Sequence, residues 1–311
     1  MESLLAAADV NTGRIQECAP RPVECGGQPM MAKRRRRAAW LVMRVANAFF
    51  RLARNPVEAI ADDDEWRAWE VECFRLLHGP EFTARCDRDG LPFFSVLPGR
   101  DLSQHLAAAT LRPEHLAAAG VELRRAHQLP SSYHGGRWSH GDPHTGNFLF
   151  DPATGRARLV DFEMRHHCDL PERRRHADDL LVMLQDVCGR CASEAWMPLA
   201  TAFLEGYGRR EIIASLHDLL RVPRGIPRVW WAVRTSWMRR AELERRVAEL
   251  RDGSIFHDCH QQTVIRVSEY LGDKLGIHKS EIDRIRGMSD MERRLTEAGL
   301  KPPKNFSEKH P

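Results

Sequence analysis

No stretch of this 311-residue chain approaches the roughly 20 apolar residues needed to cross a bilayer, and no apolar signal segment precedes its first basic cluster. A spanning or exported protein is therefore not expected. Its 8 cysteines have no framework spacing, which excludes a disulfide-stapled scaffold and suits a reducing cytoplasm. Cys188-Gly189-Arg190-Cys191 is a lone C-x-x-C. Structural zinc sites show paired knuckles, so this pair reads as an ordinary helix end even with His257 and His260 as conceivable partners. The net charge is only +4 and most basic residues are arginines on predicted helices, which leaves no nucleic-acid module. There is no lysine between Lys33 and Lys274 and no G-x-G-x-x-G stretch.

What is present is concentrated in one place. Residues 139–150 read Ser-His-Gly-Asp-Pro-His-Thr-Gly-Asn-Phe-Leu-Phe, and residues 158–163 read Arg-Leu-Val-Asp-Phe-Glu. The spacing from Asp142 to Asn147 is that of a catalytic loop in which an aspartate accepts a hydroxyl proton and an asparagine holds a metal ion. Phe148-Leu149-Phe150 and Ala157-Arg158-Leu159-Val160 have the pattern of two short strands, and Asp151-Pro152-Ala153-Thr154-Gly155 supplies turn residues between them. Such a hairpin brings Asn147 and Asp161 to one end. An amide carbonyl and a carboxylate are the hard oxygen ligands that Mg²⁺ prefers. The competing reading, a turn-capping Asp142 and a strand-capping Asp161, explains each residue singly but not their joint spacing. His140 is read as a brace for the loop and His144 as a plain loop histidine.

These motifs resemble the kinase-like phosphotransferase superfamily, on the side of the aminoglycoside phosphotransferases, choline kinases and lipopolysaccharide-core Kdo kinases. His-Gly-Asp and Asp-Phe-Glu, in place of His-Arg-Asp and Asp-Phe-Gly, point away from the eukaryotic protein kinases. The resemblance extends over residues 66–250 and is specific over 138–184. It implies an α+β, bilobal kinase-like fold with a reduced N-lobe and a mainly helical C-lobe. It also implies ATP and Mg²⁺ as cofactors, Asp142, Asn147 and Asp161 as catalytic residues, and Asn147 and Asp161 as metal ligands. Glu70 (or Glu72), on a helix predicted over 65–77, takes the place of the ion-pair glutamate. Residues 91–97 read as the strand into the hinge, residues 116–129 as the long helix before the catalytic loop, and residues 175–181 as the start of the next buried helix. Between Asp161 and Asp178, residues 164–176 contain no Ala-Pro-Glu and no Ser, Thr or Tyr. A small-molecule, saccharide or lipid-headgroup acceptor therefore fits better than a peptide.

Departures from the family fall in the nucleotide-holding half. With no other lysine nearby, Arg44 on a strand over 40–45 is the expected phosphate-binding cation, because Lys33 opens a Lys-Arg-Arg-Arg-Arg run that does not read as a strand. Loss of the lysine and the glycine loop leaves a non-catalytic pseudokinase, a binding or scaffold protein, as the alternative. The same residues also read as an amphipathic helix with Arg44, Asn47, Arg51 and Arg54 on a polar stripe. Preceded by the basic run at 33–37, such a helix suits an anionic membrane surface. The protein is accordingly expected in the cytoplasm, free or peripheral on the inner face of the membrane. The expected organisation is a disordered leader over 1–37, a reduced N-lobe over 38–97, a C-lobe over 98–253 and a polar helical tail over 254–311. Two further guesses concern the acceptor. Arg173-Arg174-Arg175 could select an acidic group, and Trp230, Arg234 and Trp237 share a helical face that lines an acceptor pocket or is simply core.

Overall fold

Residues 28–35, expected in an unstructured leader, form a β-strand. The computed structural model describes residues 16–25, 28–36, 38–192 and 194–253. In it, β1 (Gln16–Cys25) and β2 (Gln28–Arg35) pair antiparallel, and β2 continues into β5 (Pro92–Ser95) and β4 (Ala84–Cys86), giving the order β1-β2-β5-β4. Strand alternation explains how a basic run can be built into a sheet. Lys33 and Arg35 are buried on one face, while Arg34 and Arg36 are exposed. Met30, Ala32 and Phe93 form the apolar contact within the sheet. A boundary at residue 38 therefore does not separate a leader from a domain.

Helix α1 (Ala39–Leu52) follows β2, and β3 (Val57–Ala59) returns the chain. Only one face of α1 is buried, through Met43 and Phe50 against Ala59, Met164 and Trp230. Asn47 fastens it by both donating to and accepting from the Ala59 backbone at 2.7 Å. Helix α2 (Asp63–His78) starts where Asp62 accepts from the Asp64 and Glu65 N–H groups. Three acidic residues in its first turn and Arg75 and His78 in its last complement the helix dipole. Trp66, Glu70, Cys73 and Leu77 lie on its buried side.

After β6 (Arg100–Asp101) the chain is mostly helical: α3 (Leu102–Ala107), α4 (Pro113–Ala126), α5 (Glu172–Arg190), α6 (Trp196–Tyr207), α7 (Arg210–Leu219), α8 (Ile226–Arg234) and α9 (Arg240–Arg251). Between α4 and α5 run β7 (Pro130–Ser131), β8 (Gly136–Arg137), a 3₁₀ turn (Thr145–Asn147), β9 (Phe148–Asp151), β10 (Arg156–Leu159) and β11 (Met164–His166). The β9–β10 hairpin has Leu159 opposite Phe148, and β11 pairs back to β3. The core of this half is made by Leu116, Leu123, Phe148, Leu180, Phe203 and Tyr207, each essentially inaccessible to water. The fold is a mixed α+β arrangement with small antiparallel sheets. The tail over 254–311, with His257 and His260, lies outside the described residues.

Candidate functional site

The strand end after β10 and the loop before β9 are bound into one unit. Val160 N–H donates to Asn147 O at 3.0 Å, and the Asn147 amide donates to Asp142 O at 2.9 Å. The hairpin thus carries Asp142, Asn147 and Asp161 to one end, as the spacing predicts. Because the Asn147 nitrogen is committed to the loop, its side-chain carbonyl is the group left to act as an acceptor. Gly141 has φ of 88°, and a Cβ there would stand about 3.1 Å from the Arg165 backbone, so only glycine lets the loop lie on β11.

The loop is held from below. Helix α5 aims Asp179 at it, and the Asp179 carboxylate accepts from His140 N–H and Gly141 N–H, both at 2.8 Å. His127 Nε2 donates to the same carboxylate at 2.9 Å, and its Nδ1 accepts a hydrogen bond from the Tyr207 hydroxyl at 2.8 Å. Burial pushes the Asp179 carboxyl up, but His166, His127 and His140 outweigh it and hold it well below the usual carboxylate range. Two turns on, Asp186 accepts from Thr145 N–H at 2.9 Å and from its hydroxyl at 2.5 Å. His140 does brace the loop: its Nδ1 accepts from Asp142 N–H at 3.3 Å and its Nε2 donates to Val160 O at 3.2 Å.

The cation of the site is Lys33, not Arg44. Lys33 Nζ sits 2.5 Å from Glu70 Oε1 and 2.6 Å from Asp161 Oδ1, joining β2, α2 and the strand end. Burial disfavours a charged lysine, but Asp161, Glu70 and Glu163 together raise it above its ordinary value, so it stays protonated. Burial likewise pushes Asp161 up, and Lys33 more than reverses this, keeping it a carboxylate. Glu70 Oε1 also accepts from Phe162 N–H at 3.1 Å and from the Trp66 indole at 3.2 Å. Those bonds hold the backbone where Asp161 has φ of 67°, a conformation that costs a non-glycine residue on the order of 1–3 kcal/mol. Arg35 lies over Trp66 at 4.3 Å and donates to Ile60 O at 2.6 Å. Arg44, by contrast, is exposed on α1 over Trp40, where it reaches no carboxylate of the site. Glu72 faces outward and accepts from Ser132 at 3.1 Å.

Asp142 is the most open member, with its side chain 24% exposed. Near it stand His144 at 3.8 Å and Arg234 of α8 at 3.4 Å. Of the other expected acceptor residues, Arg175 is buried and structural, donating to Leu170 O and to Arg137 O. Trp237 is exposed, beyond Ser236, and both have positive φ, so it leaves the face shared by Trp230 and Arg234. Cys188 and Cys191 are buried, their carbonyls accept from Arg246, and no metal-binding cluster of His, Cys, Asp and Glu occurs among the described residues.

Chemically, the arrangement offers an accessible carboxylate, a hard oxygen pair in Asn147 and Asp161, and a buried ammonium joined to one of that pair. An all-oxygen donor set with one negative charge fits Mg²⁺. The chain matches no family model and no curated protein. Among solved structures it is similar to an ethanolamine kinase of Plasmodium vivax, with 7% identity, a TM-score of 0.37, and 82% of this chain and 88% of that one covered. A likeness of that score carries no weight here.

Proposed function

We propose that the protein is an ATP-dependent phosphotransferase that moves the γ-phosphoryl group to a hydroxyl of a small molecule or cell-envelope saccharide, on a bilobal kinase-like fold. The supporting observation is the Lys33–Glu70–Asp161 cluster, joined through Val160, the residue before Asp161, to the loop that carries Asn147 and Asp142. Phosphoryl transfer asks the protein for positioning and charge neutralisation. In this reading Lys33 binds the nucleotide phosphates and Glu70 orients it. Asn147 and Asp161 hold Mg²⁺, which neutralises phosphate charge when bound. Asp142 accepts a hydrogen bond from the acceptor hydroxyl. The hydroxyl oxygen forms the bond to γ-phosphorus, the bond to the bridging oxygen breaks with its electron pair leaving on ADP, and the hydroxyl proton passes to Asp142 and on to solvent.

The missing G-x-G-x-x-G favours the alternative of a binding or scaffold protein, whereas the lysine that alternative took to be lost is Lys33. ADP release from ATP, measured against a panel of saccharides and polar metabolites, separates the two. Asp142→Asn should lower turnover by at least about 100-fold and leave ATP affinity within a few-fold. An Asp142→Asn protein with the wild-type rate would remove Asp142 from the chemistry.

We also propose that the protein works at an anionic membrane surface. On α1 the apolar side chains of Leu41, Val45 and Leu52 are 51, 63 and 66% exposed, and Arg44 and Arg51 flank them. An exposed apolar stripe beside arginines suits the boundary of an acidic bilayer. Lys33 and Arg35 turn inward, so the electrostatic share falls to Arg34, Arg36 and the helix arginines. No described helix is long and apolar enough to cross a membrane.

A further inference from the structure

Arg234 takes no part in holding the cluster together, yet it reaches the carboxylate that faces the acceptor. It is the last residue of α8, and its Nη2 lies 3.4 Å from Asp142 Oδ1 and 3.5 Å from Gly141 O. Charge-assisted bonds of this type are normally about 2.7–2.9 Å, so Asp142 is a poor partner at this range. The Arg234 side chain is only 8% exposed and lies over the Trp230 ring at 4.6 Å. Among the described residues, each of the two carries a buried donor without a partner: Arg234 Nε and Trp230 Nε1. The guanidinium lies over the indole ring, so an anion that draws it outward would offer an acceptor to donors left unpaired among the described residues.

The position of Arg234 is imposed from several sides. Thr235 is fully buried, its hydroxyl donates to Trp231 O at 2.8 Å, and a Cβ on Gly189 would stand 2.4–2.6 Å from the Thr235 backbone. The end of α8 therefore lies directly on α5. Ser236 and Trp237 then turn the chain away at φ of 50° and 59°. Trp230 is wedged against Phe50 at 4.7 Å. Two further basic side chains stand by the Asp142 loop. His144 is 3.8 Å from Asp142, and Arg190 is held 3.2 Å from Thr145 Oγ1 and 3.5 Å from Asp186, a carboxylate already taken by Thr145.

We propose that Arg234 and the Trp230 indole N–H form the subsite for an anionic group of the acceptor, a phosphate or a carboxylate, so that the substrate is a hydroxyl-bearing anion. This rests on the reading of Asp142 as the base. With a neutral or cationic acceptor, the guanidinium stays on Asp142 and competes with the hydroxyl for Oδ1. An anionic group draws the guanidinium into a bidentate pair, satisfies the two orphan donors and leaves Asp142 to the hydroxyl. Arg234 thus sets specificity by what it releases as well as by what it binds.

The test is calorimetric, on full-length protein saturated with Mg²⁺ and a non-hydrolysable ATP analogue so that nucleotide phosphates are already accounted for. Glucose 6-phosphate and inorganic phosphate should bind, and glucose should not. Arg234→Gln should weaken the phosphate probes by about tenfold or more. Arg234→Lys should do so partly, as a point charge without the fork, and Trp230→Phe by a few-fold through the lost N–H. Thermal melts identify any variant that fails to fold, and Arg234→Lys and Trp230→Phe then decide. Nucleotide binding without any phosphate binding, or phosphate affinity unchanged in Arg234→Gln, overturns this proposal alone. Absence of nucleotide binding overturns the phosphotransferase reading and with it the acceptor role, whatever the phosphate probes do.

Discussion

Lys33 is a single, largely buried cation shared by two carboxylates. Removing it, as in Lys33→Met, leaves Glu70 and Asp161 facing each other, and breaking a buried ion pair from one side typically costs about 3–5 kcal/mol. Chemical denaturation should show a loss of that order, and nucleotide affinity should fall at least about tenfold. Lys33→Arg keeps the charge and should recover most of the stability but less of the affinity, because a planar fork does not fit a site shaped for an ammonium. A Lys33→Met protein as stable as the wild type would mean that the contacts at 2.5 and 2.6 Å do not form in solution. That Asp142, Asn147 and Asp161 come together at one end of a hairpin is legible in the sequence, because their spacing and turn chemistry are local. Lys33 is not. Its strand alternates inward and outward residues like any other, but in Lys-Arg-Arg-Arg every position is basic, so alternation leaves no contrast to read. Glu70 was legible only as one of two candidates, and its partner fixes the choice.

At the scale of elements, α1 shows how far periodicity carries. Its amphipathic pattern is plain in the sequence, but which apolar residues face the fold and which face outward depends on Ala59, Met164 and Trp230, which arrive from distant segments. The sequence leaves Arg44 open to a strand or to an amphipathic helix, since a short apolar run does not distinguish the two, and the structure has the helix. The membrane proposal is testable with substitutions that respect the observed faces. Leu41→Asp with Val45→Asp should leave the fold intact and abolish co-sedimentation with phosphatidylserine vesicles. Raising the salt should weaken binding of the wild type, since each basic residue near such a surface contributes about 1 kcal/mol. Phe50→Asp should instead unfold the protein, because Phe50 packs against Trp230. A folded Leu41→Asp/Val45→Asp variant that still sediments with vesicles would exclude α1 as the attachment. The hairpin β9–β10 and helices α2, α4 and α5 lie within a few residues of the sequence expectation, since each combines a strong periodic pattern with a local start or stop signal.

For the molecule as a whole, buried titratable groups set two opposed pH limbs. Burial lowers His78 and His134 to about 4 and His176 to about 2, against about 6.5 when unfolded. Groups with a depressed folded pKa contribute stability above the unfolded value and lose it as the pH falls toward the folded one. Acid should therefore destabilise the fold from about pH 6.5 toward pH 4. Glu163 behaves oppositely. Burial, helped by Asp161, raises its carboxyl to about 8, so its contribution is complete below the unfolded value and is lost as the pH rises through 8. Thermal melts should thus show maximum stability near pH 6–7. Glu163→Gln should flatten the alkaline limb, which no single group can make steeper than about 1.4 kcal/mol per pH unit, and should steepen the acid limb above the unfolded glutamate value, where the Glu163 contribution opposes that of the histidines. An alkaline limb of the same slope in Glu163→Gln would assign that loss to other groups. None of this was visible in the sequence, because a histidine or glutamate becomes informative only when its burial and neighbours are known.

The central claim is that Lys33, Asn147 and Asp161 form a metal-nucleotide site. It is tested most directly by titrating ATP into the full-length protein by calorimetry, with and without Mg²⁺, beside Asp161→Asn. The account predicts binding that strengthens by at least about tenfold with Mg²⁺ and loses that dependence in Asp161→Asn. Wild-type protein that shows no Mg²⁺-dependent binding at millimolar ATP would contradict it.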